Sequence, residues 1–161
     1  MSADTGIRDA VTGLYVREYF DDVITRELER SRRHGIPLSV VSVVLVNAVD
    51  VAEAGDEILT SVLVEMAREL QRNVRETDHL FRWEADEFLL LLFGADAAAG
   101  AAKVKQLDQL FRPWRDAAGP VPVAARIRAG GATNDSELVF PSVLQAAREA
   151  ARGSAPATGS D

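Results

Sequence analysis

Residues 75–93 read RETDHLFRWEADEFLLLLF, and this stretch decides the fold. Two runs within it, His79–Trp83 and Glu87–Phe93, are short and rich in aromatic and aliphatic residues, as buried or half-buried strands are. Only Glu84-Ala85-Asp86 separates them, so the runs are expected to close into an antiparallel hairpin. A connection this short ordinarily carries Gly or Asn, because the primed turns need positive φ at one or both central residues. This turn has neither. The stretch also gathers most of the acidic and basic residues that could do chemistry.

On the N-terminal side, Leu59, Val62, Leu63, Met66 and Leu70 recur at helical spacing, with Asp56 placed to cap a helix that runs to about Arg75. Asn47 to Gly55 reads as a connection. Leu38 to Val46 is about half the roughly 20 apolar residues that a transmembrane helix needs, and its repeated Val predicts a buried central strand. Phe20, Val23, Ile24 and Leu28 predict a first helix to about Arg33. Its other face, with Asp22, Arg26, Glu29 and Arg33, reads as solvated and holds two i,i+4 pairs. His34-Gly35-Ile36-Pro37 ends that helix, and Asp9 to Leu14 is a turn-like lead-in. On the C-terminal side, Ala97 to Trp114 predicts a helix and Val121 to Ala129 a strand before a break at Gly130-Gly131. A last helix is expected from about Glu137 to Ala151. The order helix, strand, helix, hairpin, helix, strand, helix specifies an α/β layered domain, with helices covering a mainly antiparallel or mixed sheet.

At 161 residues the chain suits one domain with a real core. It has no Cys, which excludes disulfides and Cys-ligated zinc. A formal charge of -7 argues against nucleic acid or an anionic membrane as partner. Met1 to Arg8 lacks the basic start and apolar run of a secretory signal, so a cytoplasmic location is expected. His34 and His79 are too few and too far apart for a metal cluster. Neither a Ser/His/Asp nucleophile pattern nor a phosphate-binding P-loop is present.

Several motifs, in order, carry a family resemblance. DAVTGLYVREYF, residues 9–20, resembles the DxLTGLxNRRxF opening of GGDEF domains, the diguanylate cyclase family, and keeps Asp9, Thr12, Gly13, Leu14 and Arg17. Gly55-Asp56 before an apolar helix resembles the family's GD segment. EADEF, Glu84 to Phe88, stands where the GGDEF signature belongs. RETD, Arg75 to Asp78, stands five residues before it, as does the family's RxxD site for the product cyclic di-GMP. The resemblance covers about Asp9 to Gly153. It implies a GGDEF, nucleotidyl-cyclase-like α/β single domain over residues 1–153, with a central, mostly antiparallel sheet flanked by helices; residues 154–161, small and without a core-forming pattern, are expected to be a disordered tail.

The sequence also departs from the family. A cyclase of this type holds two divalent metals on carboxylates. At the positions of the family's DxDxFK pattern stand Val44, Val46, Ala48 and Val49, and valine cannot ligate Mg²⁺. The connection from there to Gly55 is shorter than the family's, with no counterpart to its guanine-contacting Asn. Glu84 and Ala85 replace the paired glycines that let the backbone approach a nucleotide, and Glu84 adds negative charge where a triphosphate would lie. Asp86, Glu87 and Phe88 remain from the signature. Asp56 matches a guanine-contacting Asp, but its role as a helix cap is preferred. Arg148 and Arg152 match the family's phosphate-contacting Lys and Arg, yet read as solvent-facing residues of the last helix.

The resemblance thus implies a degenerate domain with no catalytic residue, no metal and no cofactor. Arg75 and Asp78 are the candidate cyclic di-GMP ligands, since guanidinium grips phosphate or a guanine Hoogsteen edge and carboxylate accepts from guanine N1 and N2. By position, Lys103 or Lys105 would add the usual further basic residue. The expected function is an inactive signalling domain that receives cyclic di-GMP and passes the signal to a protein partner, with homodimerisation open. A nucleotide-independent interaction module is the alternative, ahead of a residual cyclase or GTP-binding regulator.

Overall fold

The structure is a computed structural model that describes residues 6–134 and 140–153. The expected disordered tail, residues 154–161, and the first residues of the expected last helix lie outside the described residues. Five strands form one sheet: β1 (Tyr15–Val16), β2 (Leu38–Leu45), β3 (His79–Glu84), β4 (Glu87–Phe93) and β5 (Ile127–Asn134). Their order across the sheet is β1-β3-β4-β2-β5, with every pairing antiparallel except β1 with β3. Among the described residues five α-helices accompany them: α1 (Phe20–His34), α2 (Ala48–Glu53), α3 (Asp56–Arg72), α4 (Ala97–Phe111) and α5 (Phe140–Arg152). None of the described helices is long and apolar enough to cross a membrane.

Period-two alternation gives the sheet two apolar faces. Val41, Val43 and Leu45 of β2 join Phe88, Leu90 and Leu92 of β4 against α3 and α4, through Val62, Met66, Leu70, Leu107 and Phe111. Leu38 and Val40 join Phe81, Trp83, Leu89 and Leu91 against α1 and α5, through Phe20, Val23, Val143 and Ala147. β2 is buried along its whole length, because both faces are covered and both edges are paired. Each fully buried side chain of the size of Phe88 contributes about 1.5–3 kcal/mol.

Four expectations change. The connection after β2 contains the short helix α2. The helix that begins at Ala97 gives way after Phe111 to a 3₁₀ turn, Arg112–Asp116, with Pro113 inside it. Asp56 is the first helical residue rather than the cap. The cap is Gly55, whose φ of 133° excludes other residues and whose carbonyl accepts from Ile58 and Leu59. The fourth change is the most instructive: Gly130 and Gly131 do not break the last strand but lie within it. A Cβ on Gly130 would sit 2.2 Å from the Ala151 nitrogen of α5, and one on Gly131 2.9 Å from Val104 of α4. Two helices press on β5 from opposite faces, and the paired glycines admit their close approach.

Candidate functional site

The hairpin of β3 and β4 carries a candidate site at each end, about 20 Å apart at the rise of a strand. At the tip, Glu84 pairs directly with Glu87, and the register shifts between Arg82 and Glu84. That bulge explains a turn without glycine. Among the described residues only Ala117 is a non-glycine with positive φ, so the irregular register replaces the primed turn. Arg82 fixes the bend from one side, donating to the Ala85 carbonyl at 2.9 Å and to Asp9 Oδ2 at 3.1 Å. The Leu45 N–H donates to the Asp86 carbonyl at 3.0 Å and ties the turn to β2. Asp9 also accepts from the Thr12 N–H and hydroxyl, both at 2.8 Å. Burial pushes the Asp9 carboxyl up, but Thr12 and Arg82 outweigh it and hold the group below its usual range.

Glu87 is the centre of the tip. Its side chain lies on the α1/α5 face with no solvent exposure. Ser42 donates to Oε2 at 2.8 Å, Arg148 donates to both oxygens at 2.9 Å, and Arg152 donates to Oε1 at 3.2 Å. Burial raises the Glu87 carboxyl, but the Arg148, Ser42 and Arg152 hydrogen bonds prevail and leave it below its usual range. Its hydrogen bonds raise Arg148 in turn. Arg152 lies 3.5 Å from Asp86, and Arg148 lies 3.6 Å from Glu84. Glu84 forms a 2.7 Å ion pair with Arg17, whose guanidinium stacks 4.3 Å from the Trp83 ring. Phe88 points the other way, into the α3/α4 core.

The solvent-facing reading is therefore corrected for Arg148, whose side chain is 23% exposed, whereas Arg152 stays 40% exposed and yet also pairs with the acidic turn. Val143, Ala147 and Ala151 form the buried stripe of α5, and the two arginines flank it one residue on, four apart, facing the acidic turn. That flanking i,i+4 spacing was the available signal. Ser42 gave no signal, because a serine amid valines reveals nothing until β4 is laid beside it. Val44 lies directly across from Glu87 in the β2/β4 register and is fully buried.

At the base of the hairpin, Arg75 to Asp78 form a tight turn between α3 and β3. The Asp78 N–H donates to the Arg75 carbonyl at 3.0 Å, and the Arg75 N–H donates to Asp78 Oδ2 at 2.8 Å. The Asp78 side chain is 3% exposed, and its Oδ1 has no hydrogen-bond partner, with the Arg75 guanidinium 3.5 Å away. The Arg75 side chain is 66% exposed. Both residues line an open hollow of about 490 Å³, together with Gly94, Ala95, Ala99, Ala102, Lys103 and Gln106. Of the two lysines considered, Lys103 is at the site and Lys105 is exposed elsewhere on α4. Lys103 donates to the Asn73 carbonyl and, at 3.0 Å, to Gln106 Oε1. Asn73 and Gln106 are residues that sequence reasoning missed. Among the described residues, no group of three or more His, Asp and Glu side chains is placed to hold a metal ion.

Known proteins resemble this chain in both sequence and fold. DosC, a diguanylate cyclase of Escherichia coli K12, is 26% identical over 148 residues, which is 88% of this chain and 31% of the relative. DgcC, a probable diguanylate cyclase of the same organism, is 24% identical over 103 residues, covering 63% of this chain and 28% of the relative. The chain thus spans less than a third of the length of these curated relatives. The GGDEF domain of DgcB from Caulobacter crescentus, solved with c-di-GMP, shares the fold at TM-score 0.81 and 17% identity, over 96% of this chain and 90% of that one. Diguanylate cyclase SiaD of Pseudomonas aeruginosa, solved with its activator SiaC, matches at TM-score 0.73 and 27% identity, over 91% of this chain and 57% of that one. The sequence profile described as "Diguanylate cyclase, GGDEF domain" matches residues 7–154, and the chain belongs to the GGDEF domain family.

Proposed function

We propose that this GGDEF domain is catalytically inactive and binds cyclic di-GMP through Arg75 and Asp78, relaying occupancy to a protein partner. The observation that carries the receptor reading is Asp78 Oδ1, a buried carboxylate oxygen without a hydrogen bond at the wall of a hollow that also presents Arg75 and Lys103. A buried acceptor left unmatched costs about 1–3 kcal/mol, and a guanine edge offers the N–H donors that would match it. Arg75 has donors free for a phosphate. The DgcB domain, solved with c-di-GMP, supports the choice of ligand.

Inactivity is argued from the donor set at the hairpin tip. The metals that a cyclase requires do not fit these residues: Val44 offers no ligand across from Glu87, and the oxygens of Glu87 are occupied by Arg148, Arg152 and Ser42. The two arginines at the family's phosphate-contacting positions are themselves paired with this chain's own carboxylates.

Calorimetric titration with cyclic di-GMP is expected to give heat with the wild type and none with Arg75→Ala. Absence of heat with the wild type would leave the nucleotide-independent interaction module as the second reading, and the SiaD complex with its activator is a case of a similar protein that takes a protein partner. Radiolabelled GTP with Mg²⁺ or Mn²⁺ is expected to yield no cyclic product, and robust product would overturn the inactive reading.

A further inference from the structure

The sequence contains just two lysines, Lys103 and Lys105, among eighteen Lys and Arg residues, so lysine chemistry on this protein can be read at two positions. Both lie on α4, two residues and hence about 200° apart around the helix. Lys105 is exposed, whereas Lys103 is half-buried at the rim of the hollow beside Arg75 and Asp78.

The surroundings of Lys103 suit a neutral amine. Its Nζ has two hydrogen-bond acceptors, the Asn73 carbonyl and Gln106 Oε1. A neutral amine has two N–H groups and a lone pair, so loss of the third proton breaks neither bond and leaves the lone pair free. Burial pushes the ammonium pKa down, with Asp78 opposing and the Arg75 charge adding to the fall, and the group rests below its usual range. Among the described residues the Arg75 guanidinium is tied by contacts of 3.4 Å to the Phe93 carbonyl and 3.5 Å to Asp78 Oδ1, and being exposed it can grip a phosphate.

We infer that Lys103 is an acylation site served by Arg75, with an acyl phosphate as the donor: its phosphate docks on Arg75 and its acyl carbon meets Lys103 Nζ. The nitrogen lone pair forms the new C–N bond. The C–O bond to phosphate breaks, inorganic phosphate leaves with the electron pair, and one nitrogen proton passes to it. The amide that results has one N–H and no charge, so the hollow loses a cation and either Asn73 or Gln106 loses its donor. This inference goes beyond the receptor reading and does not depend on it, because its readout uses no nucleotide.

The test incubates the chain with acetyl phosphate at mildly alkaline pH and follows acetylation of the two lysines by peptide mass spectrometry. Lys103 is expected to label at about fivefold the initial rate of Lys105, since docking of the phosphate supplies proximity. The preference should vanish in Arg75→Ala and under excess inorganic phosphate. With the uncharged ester N-hydroxysuccinimidyl acetate, Arg75→Ala should lower the ratio only modestly, because loss of the Arg75 charge lets the Lys103 ammonium pKa rise, whereas with acetyl phosphate the preference should be lost outright. Thermal melting confirms that the variant is folded, as the exposure of the Arg75 side chain leads one to expect. Equal or faster labelling of Lys105 by acetyl phosphate would mean that access alone governs reactivity and would overturn the inference. A Lys103 preference that survives in Arg75→Ala would equally overturn the docking role.

Discussion

The two ends of one hairpin handle charge in opposite ways. At the tip, Glu84, Asp86 and Glu87 each meet an arginine from outside the hairpin, and Glu87 is sealed from water by Arg148, Arg152 and Ser42. At the base, Asp78 keeps an oxygen without a hydrogen bond, and Arg75 extends into solvent. On the proposed reading, the difference separates charges that hold the fold from charges available to a ligand. A buried, mutually satisfied cluster is worth most when intact, because removing one partner strands the other without water. A half-matched pair at a hollow contributes little to stability and keeps its interaction capacity for what binds.

Truncation at the tip should break this contrast most visibly. Arg148→Ala removes the bidentate partner of a carboxylate that cannot rehydrate. With Arg152 and Ser42 remaining, the loss is expected at about 3 kcal/mol, the lower end for a broken buried pair, read from denaturant unfolding. Acid provides a second probe. The folded pKa of Glu87 lies below its unfolded value, so its stabilisation is complete above the ordinary carboxylate range and is lost as pH falls through the folded pKa. Asp9 acts in the same direction. Melting temperature should therefore fall on acidification below about pH 4. Glu87→Gln should start lower at neutral pH and fall less, and parallel curves would count against Glu87 as the titrating group.

Smaller effects sharpen the boundary. Arg17 and Glu84 are 47% and 43% exposed, so Glu84→Ala should cost less than about 1 kcal/mol despite the short ion pair. A larger cost would place Glu84 with Glu87 as part of the sealed cluster. Smallest of all on stability is Arg75→Ala, expected within about 0.5 kcal/mol of the wild type. The same substitution is expected to abolish cyclic di-GMP heat, and a large destabilisation would merge the two ends into one structural role.

Much of the fold was legible in the sequence. The hairpin, the buried β2 and the helices on either side follow from period-two and period-3.6 patterning over long runs. β1 was not legible: two residues, Tyr15–Val16, carry no period and become a strand only by lying beside β3. Gly130-Gly131 misled for a related reason. Locally, paired glycine is a break signal, and only the approach of α5 on one face and α4 on the other turns it into a packing device.

The sequence by itself determined which chemical groups exist at each position: a valine at position 44, no glycine in the turn, an Arg and an Asp three apart before the hairpin, and two lysines on one helix. Those are facts of composition and spacing that no packing can alter. Tertiary structure alone decided which groups meet. Arg148 and Arg152 are about sixty residues from Glu87 along the chain, and Lys103 is about thirty from Asn73. No local pattern encodes such pairings, because they arise from helices being laid across a sheet whose register fixes which side chains share a face.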